Sequence, residues 1–158
     1  MDRSLPLPRN LALLGFILAA FAAAVPAGLW PPGEWYQSIA KPEWNPPASV
    51  FGPVWSTLYV LMGIAAWRVW CGAHAARVAA LRWWWSQLVL NAAWSPLFFG
   101  LKRLDLALVE ILFLLAAIVA TMVRFRRIDR AAGWLLLPYA AWVAFASFLN
   151  FTLWQLNR

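Results

Sequence analysis

The sequence predicts an all-α membrane protein: five transmembrane helices in a bundle, with a long loop between the first and second helices capping a pocket. Three observations carry that prediction. The chain is 64% hydrophobic and only 12% charged over 158 residues, more apolar surface than a soluble domain of this length can hide. Charge-free runs of spanning length recur along it. One connector, roughly residues 31–47, is unlike the others: Trp35, Tyr36 and Trp44 are interleaved with Lys41, Glu43, Asn45 and the prolines Pro42, Pro46 and Pro47.

The runs set the elements in order. Leu11 to Gly33, Trp44 to Trp67 and Trp83 to Leu101 carry no charge. Leu106 to Val123 carries only Glu110, and Ala131 to Asn157 carries none. About 20 apolar residues cross the hydrocarbon layer as a helix. The predicted spans are therefore about 9–30, 48–70, 80–101, 104–125 and 131–154, in one domain over residues 1–158. In lipid every backbone polar group must be satisfied within its own segment, which selects helices for runs this long. Nothing alternates with period two, so a barrel is excluded. The turn at Leu101–Asp105 is tight, and the links at 71–80 and 125–131 are short and basic.

Charge gives an orientation. With five spans, the N-terminus and the second and fourth links share one side, with nine arginines: Arg3, Arg9, Arg68, Arg77, Arg82, Arg124, Arg126, Arg127 and Arg130. The other side has four basic residues: Lys41, Lys102, Arg103 and Arg158. The helical hydropathy favours a bacterial inner membrane, with an outer membrane as the alternative; in an inner membrane the positive-inside rule places the N-terminus in the cytoplasm and the aromatic loop outside. The net charge of +7 is accounted for by these helix ends, and nucleic acid is not an expected partner. The first apolar run is too long for a signal-peptide core, although Ala22-Ala23-Ala24 mimics a cleavage site.

Several chemistries are excluded. A single cysteine, Cys71, and a single histidine, His74, rule out an internal disulfide and a His- or Cys-based metal cluster. A Ser-His-Asp triad would have to use His74, which lies in a connector. No phosphate loop and no paired-carboxylate motif is present, and no cofactor is required.

What remains is aromatic and polar residues at helical spacing. Gln87, Asn91, Trp94 and Ser95 share one face of the third span, with Pro96 placed to kink it. A polar stripe in a membrane helix meets either partner helices or a cavity, and both readings stand at this point. Trp55, Tyr59 and Met62 share a face of the second span. Tyr139, Trp142, Ala146 and Asn150 share a face of the fifth, with Pro138 as a second kink. Two tryptophan-bearing faces suit a flat apolar ligand. Trp55, Trp94 and Trp142 lie deep enough to line a pocket, whereas Trp30, Trp70, the Trp83-Trp84-Trp85 run, Trp134 and Trp154 lie at span ends and are expected in the interfacial belt. Glu110 lies one to two turns inside the fourth span, near Arg103, and is expected to pair with it or to reach the interface. Ala19/Ala23, Ala20/Ala24 and Ala116/Ala120 are small-residue pairs suited to close helix contacts.

These motifs together resemble a known family. The loop, read as Trp35-Tyr36 … Lys41-Pro42-Glu43-Trp44-Asn45-Pro46-Pro47, is similar to the signature of the TspO/translocator-protein family, the tryptophan-rich sensory proteins. The match continues through Phe51-Gly52-Pro53-Val54-Trp55 and Leu58-Tyr59. It resumes at Asn91, Trp94, Pro96, Phe98, Phe99 and Gly100, and again at Pro138, Tyr139, Trp142, Phe145, Ala146, Leu149 and Asn150. It covers about residues 10–157 in several ordered motifs.

The resemblance implies a five-helix membrane bundle, often a homodimer, with an apolar pocket under the long loop. Its implied ligands are porphyrins such as protoporphyrin IX, haem-type tetrapyrroles and sterols. By position, it assigns ligand contacts to Trp35, Tyr36, Trp44, Pro46, Pro47, Trp55, Asn91, Ser95, Trp142 and Ala146. The positions of Trp55 and Trp142 are linked in bacterial members to light-dependent porphyrin degradation. The sequence departs from animal members where a sterol-recognition segment has Tyr and Arg: here stand Phe151 and Gln155, so sterol binding is expected to be weak. The expected function is tetrapyrrole binding for transport, sequestration or sensing. Enzymatic porphyrin degradation and a regulatory partner role are the alternatives.

Overall fold

A computed structural model describes residues 8–158. Arg3, counted above on the basic side, lies outside the described residues. The chain is helical throughout: α1 (Arg9–Ala22), α2 (Val25–Leu29), α3 (Glu34–Ser38), α4 (Ala48–Cys71), α5 (Arg77–Ser95), α6 (Leu104–Ile128), α7 (Arg130–Leu135) and α8 (Leu137–Leu156). A five-residue π-helical turn, Pro96–Gly100, extends α5.

The breaks have local causes. Pro26 stands in the first turn of α2, where its missing N–H costs nothing. Ala23–Ala24 turns the chain just before it, so the first predicted span is α1 and α2 in succession. Pro96 cannot bond back to the preceding turn, and the helix re-forms around it with the wider π spacing. Pro138 likewise sits in the first turn of α8, after a one-residue interruption at Leu136. Asp129 separates α6 from α7. Its carboxylate accepts from Ala132 N at 3.0 Å and pairs with Arg68 at 2.9 Å, tying the end of α4 to the α6–α7 corner.

Four segments are long and apolar enough to cross a membrane: Arg9–Leu29, Ala48–Cys71, Leu104–Ile128 and Arg130–Leu156. The predicted third span is the exception. Its helix starts at Arg77, carries Arg82, and spends its inward face on Gln87, Asn91 and Ser95. Those side chains lower its apolarity because they face protein.

α5 packs along α6, α1 along α4, and α6 also along α8. The α1–α4 contact rests on Gly63, where an added Cβ would lie 2.7 Å from the Ile17 backbone. Ala20 and Ala66 are fully buried in the core that includes this seam. The pair Ala116/Ala120 is not part of such a contact within the chain, for Ala116 is exposed.

The core also corrects the tryptophan assignment. Trp84 is fully buried, packs edge-on to Phe16 at 5.6 Å and donates its indole N–H to the Met62 carbonyl at 3.2 Å. Helical periodicity points Trp84 inward while Trp83 and Trp85 stay outside, 39% and 50% exposed. Trp83 and Trp134 lie under the guanidinium groups of Arg124 and Arg126 at 4.3 and 4.6 Å, as interfacial residues do.

Gly63→Ala is expected to push α1 off α4 and cost roughly 1–3 kcal/mol. Gly15→Ala, whose Cβ would meet nothing within 4 Å, serves as the control. Thermal unfolding in detergent that shows equal midpoints for the two variants would contradict this seam.

Candidate functional site

A cavity of about 1060 Å³ lies at the loop end of the bundle. α4 contributes Phe51, Gly52, Trp55 and Tyr59. α5 contributes Asn91, Trp94 and Ser95, and α8 contributes Trp142, Ala146 and Asn150. The α1–α2 end adds a wall of small residues, Ala23, Ala24, Ala27 and Gly28. The long loop supplies Tyr36, Gln37, Lys41, Asn45, Pro46 and Pro47. The volume is just above the range of about 300–1,000 Å³ usual for small-molecule sites, and the lining is mostly apolar and aromatic.

Of the ten residues named from sequence, eight line this cavity: Tyr36, Pro46, Pro47, Trp55, Asn91, Ser95, Trp142 and Ala146. Trp35 and Trp44 do not. Trp35 packs edge-on to Phe98 at 6.1 Å. Trp44 stacks on Phe148 at 5.3 Å, with an interplanar angle of 15°, and meets Phe145 at 6.0 Å. Phe148 is 60% exposed, so Trp44 clamps the loop to the outer side of α8. The sequence reading missed the small-residue wall and Phe51. Absence of side chain, rather than chemistry, is what Ala27, Gly28 and Gly52 contribute, and no motif flags that.

The loop is tied down at three places. Tyr36 packs against Phe98 and Phe99 and donates its hydroxyl to Asn45 Oδ1 at 3.3 Å. Burial outweighs that hydrogen bond and pushes the Tyr36 hydroxyl above its usual range, so it stays a neutral donor. Trp44 holds the second place. At the third, Asn157 mimics a strand partner: it accepts from Ala40 N and donates to Ala40 O, both at 2.9 Å. Lys41 lies 4.8 Å above the Tyr36 ring and donates to the Gln37 and Ile39 carbonyls, each at 3.1 Å.

Beneath the cavity runs a chain of side-chain hydrogen bonds. Tyr59 donates to Asn91 Oδ1 at 3.1 Å, Asn91 Nδ2 donates to the Tyr139 oxygen at 3.1 Å, and Tyr139 donates to Gln87 Oε1 at 2.8 Å. Tyr139 is completely buried. Both alternatives for the polar stripe therefore hold at once: Asn91 faces the cavity, yet its amide is already paired within the bundle. Asn150 behaves likewise, accepting from Trp94 Nε1 at 3.2 Å and donating to the Leu104 carbonyl at 2.9 Å. The Trp55 ring stacks on Tyr59 at 5.4 Å, and Trp142 meets Phe51 edge-on at 5.8 Å.

Glu110 corrects an expectation. Arg103 forms its ion pair with Asp105 at 2.6 Å, not with Glu110. Glu110 points into the bundle, 9% exposed, with neither carboxyl oxygen bonded. Its position on the α6 face shared with Ala107, Ile111 and Leu114 turns it toward α5 and α8. Among the described residues no cluster of His, Cys, Asp or Glu is suited to hold a metal ion.

The fold and cavity define a class: an integral membrane protein of packed helices around an aromatic chamber at one end. Residues 11–155 match the model of the TspO/MBR family. Protein CrtK of Rhodobacter capsulatus is 39% identical over 144 residues, covering 90% of each chain. The tryptophan-rich sensory protein of Cereibacter sphaeroides is 40% identical, over 91% of this chain and 90% of its own. The human translocator protein is 39% identical, over 92% and 89%. The chain belongs to the TspO/MBR family.

Tyr139→Phe strands both the Gln87 acceptor and the Asn91 donor, and is expected to cost roughly 1–3 kcal/mol. Tyr59→Phe strands one acceptor that also borders the cavity, and should cost less. Equal unfolding midpoints in detergent would contradict the chain as described. Asn157→Ala removes both bonds to Ala40. Amide exchange at Ala40 should then accelerate at least tenfold while exchange in α6 stays unchanged; an unaltered rate at Ala40 argues that the loop is held without it.

Proposed function

We propose that this protein binds tetrapyrroles of the protoporphyrin IX or haem type in the cavity and acts in their transport, sequestration or sensing. The observation that carries the reading is a chamber walled by Trp55, Trp142 and Phe51 and bordered by the loop residues Tyr36, Lys41, Pro46 and Pro47. A flat apolar ring gains about 0.5–1.5 kcal/mol per aromatic contact beyond its area burial. Pro42, Pro46 and Pro47 restrict the loop before binding, which lowers the ordering cost. The loop is then a lid.

The polar edge of the ligand is met by what the network leaves free. The Asn91 amide is already paired, which leaves the Ser95 hydroxyl, the Trp55 and Trp142 indole N–H groups, and the remaining ammonium proton of Lys41 for a propionate. Trp35 and Trp44 act through the lid, by fixing it to Phe98 and Phe148. All five predicted spans cross the membrane in this reading, α5 with its π turn included, because its polar face meets Tyr59 of α4 and Tyr139 of α8. The basic ends face the cytoplasm of a bacterial inner membrane, and the lid faces out. Two copies associate as a homodimer, and sterol is at most a weak ligand.

Titrating purified protein with protoporphyrin IX should quench tryptophan fluorescence saturably. Replacing Trp55 and Trp142 together by Phe should weaken affinity about tenfold or more, the equivalent of one to two lost aromatic contacts. Unchanged affinity and quenching in that double variant would remove the pocket assignment.

A further inference from the structure

The end of the bundle opposite the cavity carries a second concave feature. Leu112, Ala116, Val119 and Val123 of α6 are all exposed, and they recur at intervals of three and four residues, which puts them on one outward face. The same spacing continues into Arg126 and Arg127 in the last turn of the helix, both exposed. An apolar stripe thus ends at two guanidinium groups. Val123, Arg126 and Arg127 together line a shallow groove of about 300 Å³.

These two arginines are free where the others nearby are committed. Arg68 pairs with Asp129, and Arg103 with Asp105. Arg124 lies over Trp83 and donates to the Ala120 carbonyl at 3.0 Å. Among the described residues Arg126 and Arg127 have no carboxylate partner. The nearest acid along the chain, Asp129, spends its charge on Arg68 and on the Ala132 N–H. Arg126 is also seated in advance. Its stem fills the space that Gly133 of α7 leaves open, where an added Cβ would collide with it, and its head lies 4.6 Å above the exposed Trp134 ring.

A cation at a helix C-terminus is favourable by itself, and membrane topology alone makes this end basic. Neither accounts for a guanidinium fixed between a glycine and a tryptophan, or for an apolar floor beneath the pair. Guanidinium groups present paired N–H donors that match phosphate oxygens. A groove with such donors at its mouth and a hydrocarbon-like track leading away fits a molecule with an anionic head and an acyl tail. We propose that Arg126, Arg127 and Val123 form a binding site for one anionic phospholipid, its phosphate on the two guanidinium groups and an acyl chain along Val123, Val119 and Ala116 of α6. Trp134 stands at headgroup level beside it. A zwitterionic lipid fits less well, because its own cation already neutralises the phosphate. The site is independent of what the cavity binds.

Native mass spectrometry of the full chain in detergent tests this, with phosphatidylglycerol and phosphatidylcholine of the same acyl length as titrants. The wild type should take up one phosphatidylglycerol about tenfold more tightly than phosphatidylcholine. Arg126→Gln combined with Arg127→Gln should abolish that preference. Arg9→Gln combined with Arg82→Gln removes the same charge from exposed positions predicted on the same side, and should retain it. Circular-dichroism melts establish that both double variants are folded. No preference in the wild type, or equal losses in the two double variants, would reduce the effect to diffuse attraction and overturn the site. Displacement of the lipid by millimolar inorganic phosphate would assign the groove to free phosphate. A lipid-free dimer that disappears with the Arg126 and Arg127 substitutions would assign the face to a second copy of the chain. Either result overturns the lipid site.

Discussion

The hydroxyl of Tyr139 is the contact on which most of this structure depends. It accepts from Asn91 and donates to Gln87, and Asn91 in turn accepts from Tyr59. One buried oxygen thus fastens α8 to α5 and, through α5, to α4. In a hydrocarbon surround, burying apolar faces against one another gains little over burying them in lipid, so hydrogen bonds and close packing hold the relative positions of helices. Each amide in this chain has its partner in another helix, which fixes helix rotation as well as proximity. The cavity above inherits its floor from that arrangement.

The rest of the chamber follows from where bulk is present and where it is withheld. Trp55, Phe51 and Trp142 supply aromatic walls, while Ala23, Ala24, Ala27, Gly28 and Gly52 leave room between them. The loop borders this end and is anchored by aromatic packing on one side of the bundle and by the Asn157–Ala40 bonds at the C-terminal end of α8. Prolines shorten the range of shapes it can take. Below, the α1–α4 seam at Gly63 brings backbones close enough that no side chain intervenes. Space is thus removed at one end of the bundle and kept at the other.

Much of this was legible from residue order. Charge-free runs placed the five long helical segments to within a few residues but not the short α3 inside the loop, and helical spacing put Gln87, Asn91 and Ser95 on one inward face. Pro96 and Pro138 marked the two breaks, although proline alone did not specify a π turn at one and a separate short helix before the other. Three readings needed three dimensions. Trp84 looked interfacial because its neighbours are, and only the rotation of α5 shows it inside. Trp35 and Trp44 share a loop with Tyr36, yet they grip the bundle's exterior and end. Glu110 lies near Arg103 in sequence, but Asp105 is nearer still and takes the arginine, while the buried face of α6 carries Glu110 inward.

By itself the sequence determined the helical class, the extent of the long apolar segments, the uneven distribution of arginine and the family, because these follow from composition, periodicity and the order of motifs along one chain. The tertiary structure alone decided which polar groups meet, which aromatics face the cavity and which buried atoms stay unpartnered. Those outcomes depend on how each helix is turned about its axis relative to neighbours distant in sequence, and helix rotation is settled by packing between segments, not by any one of them.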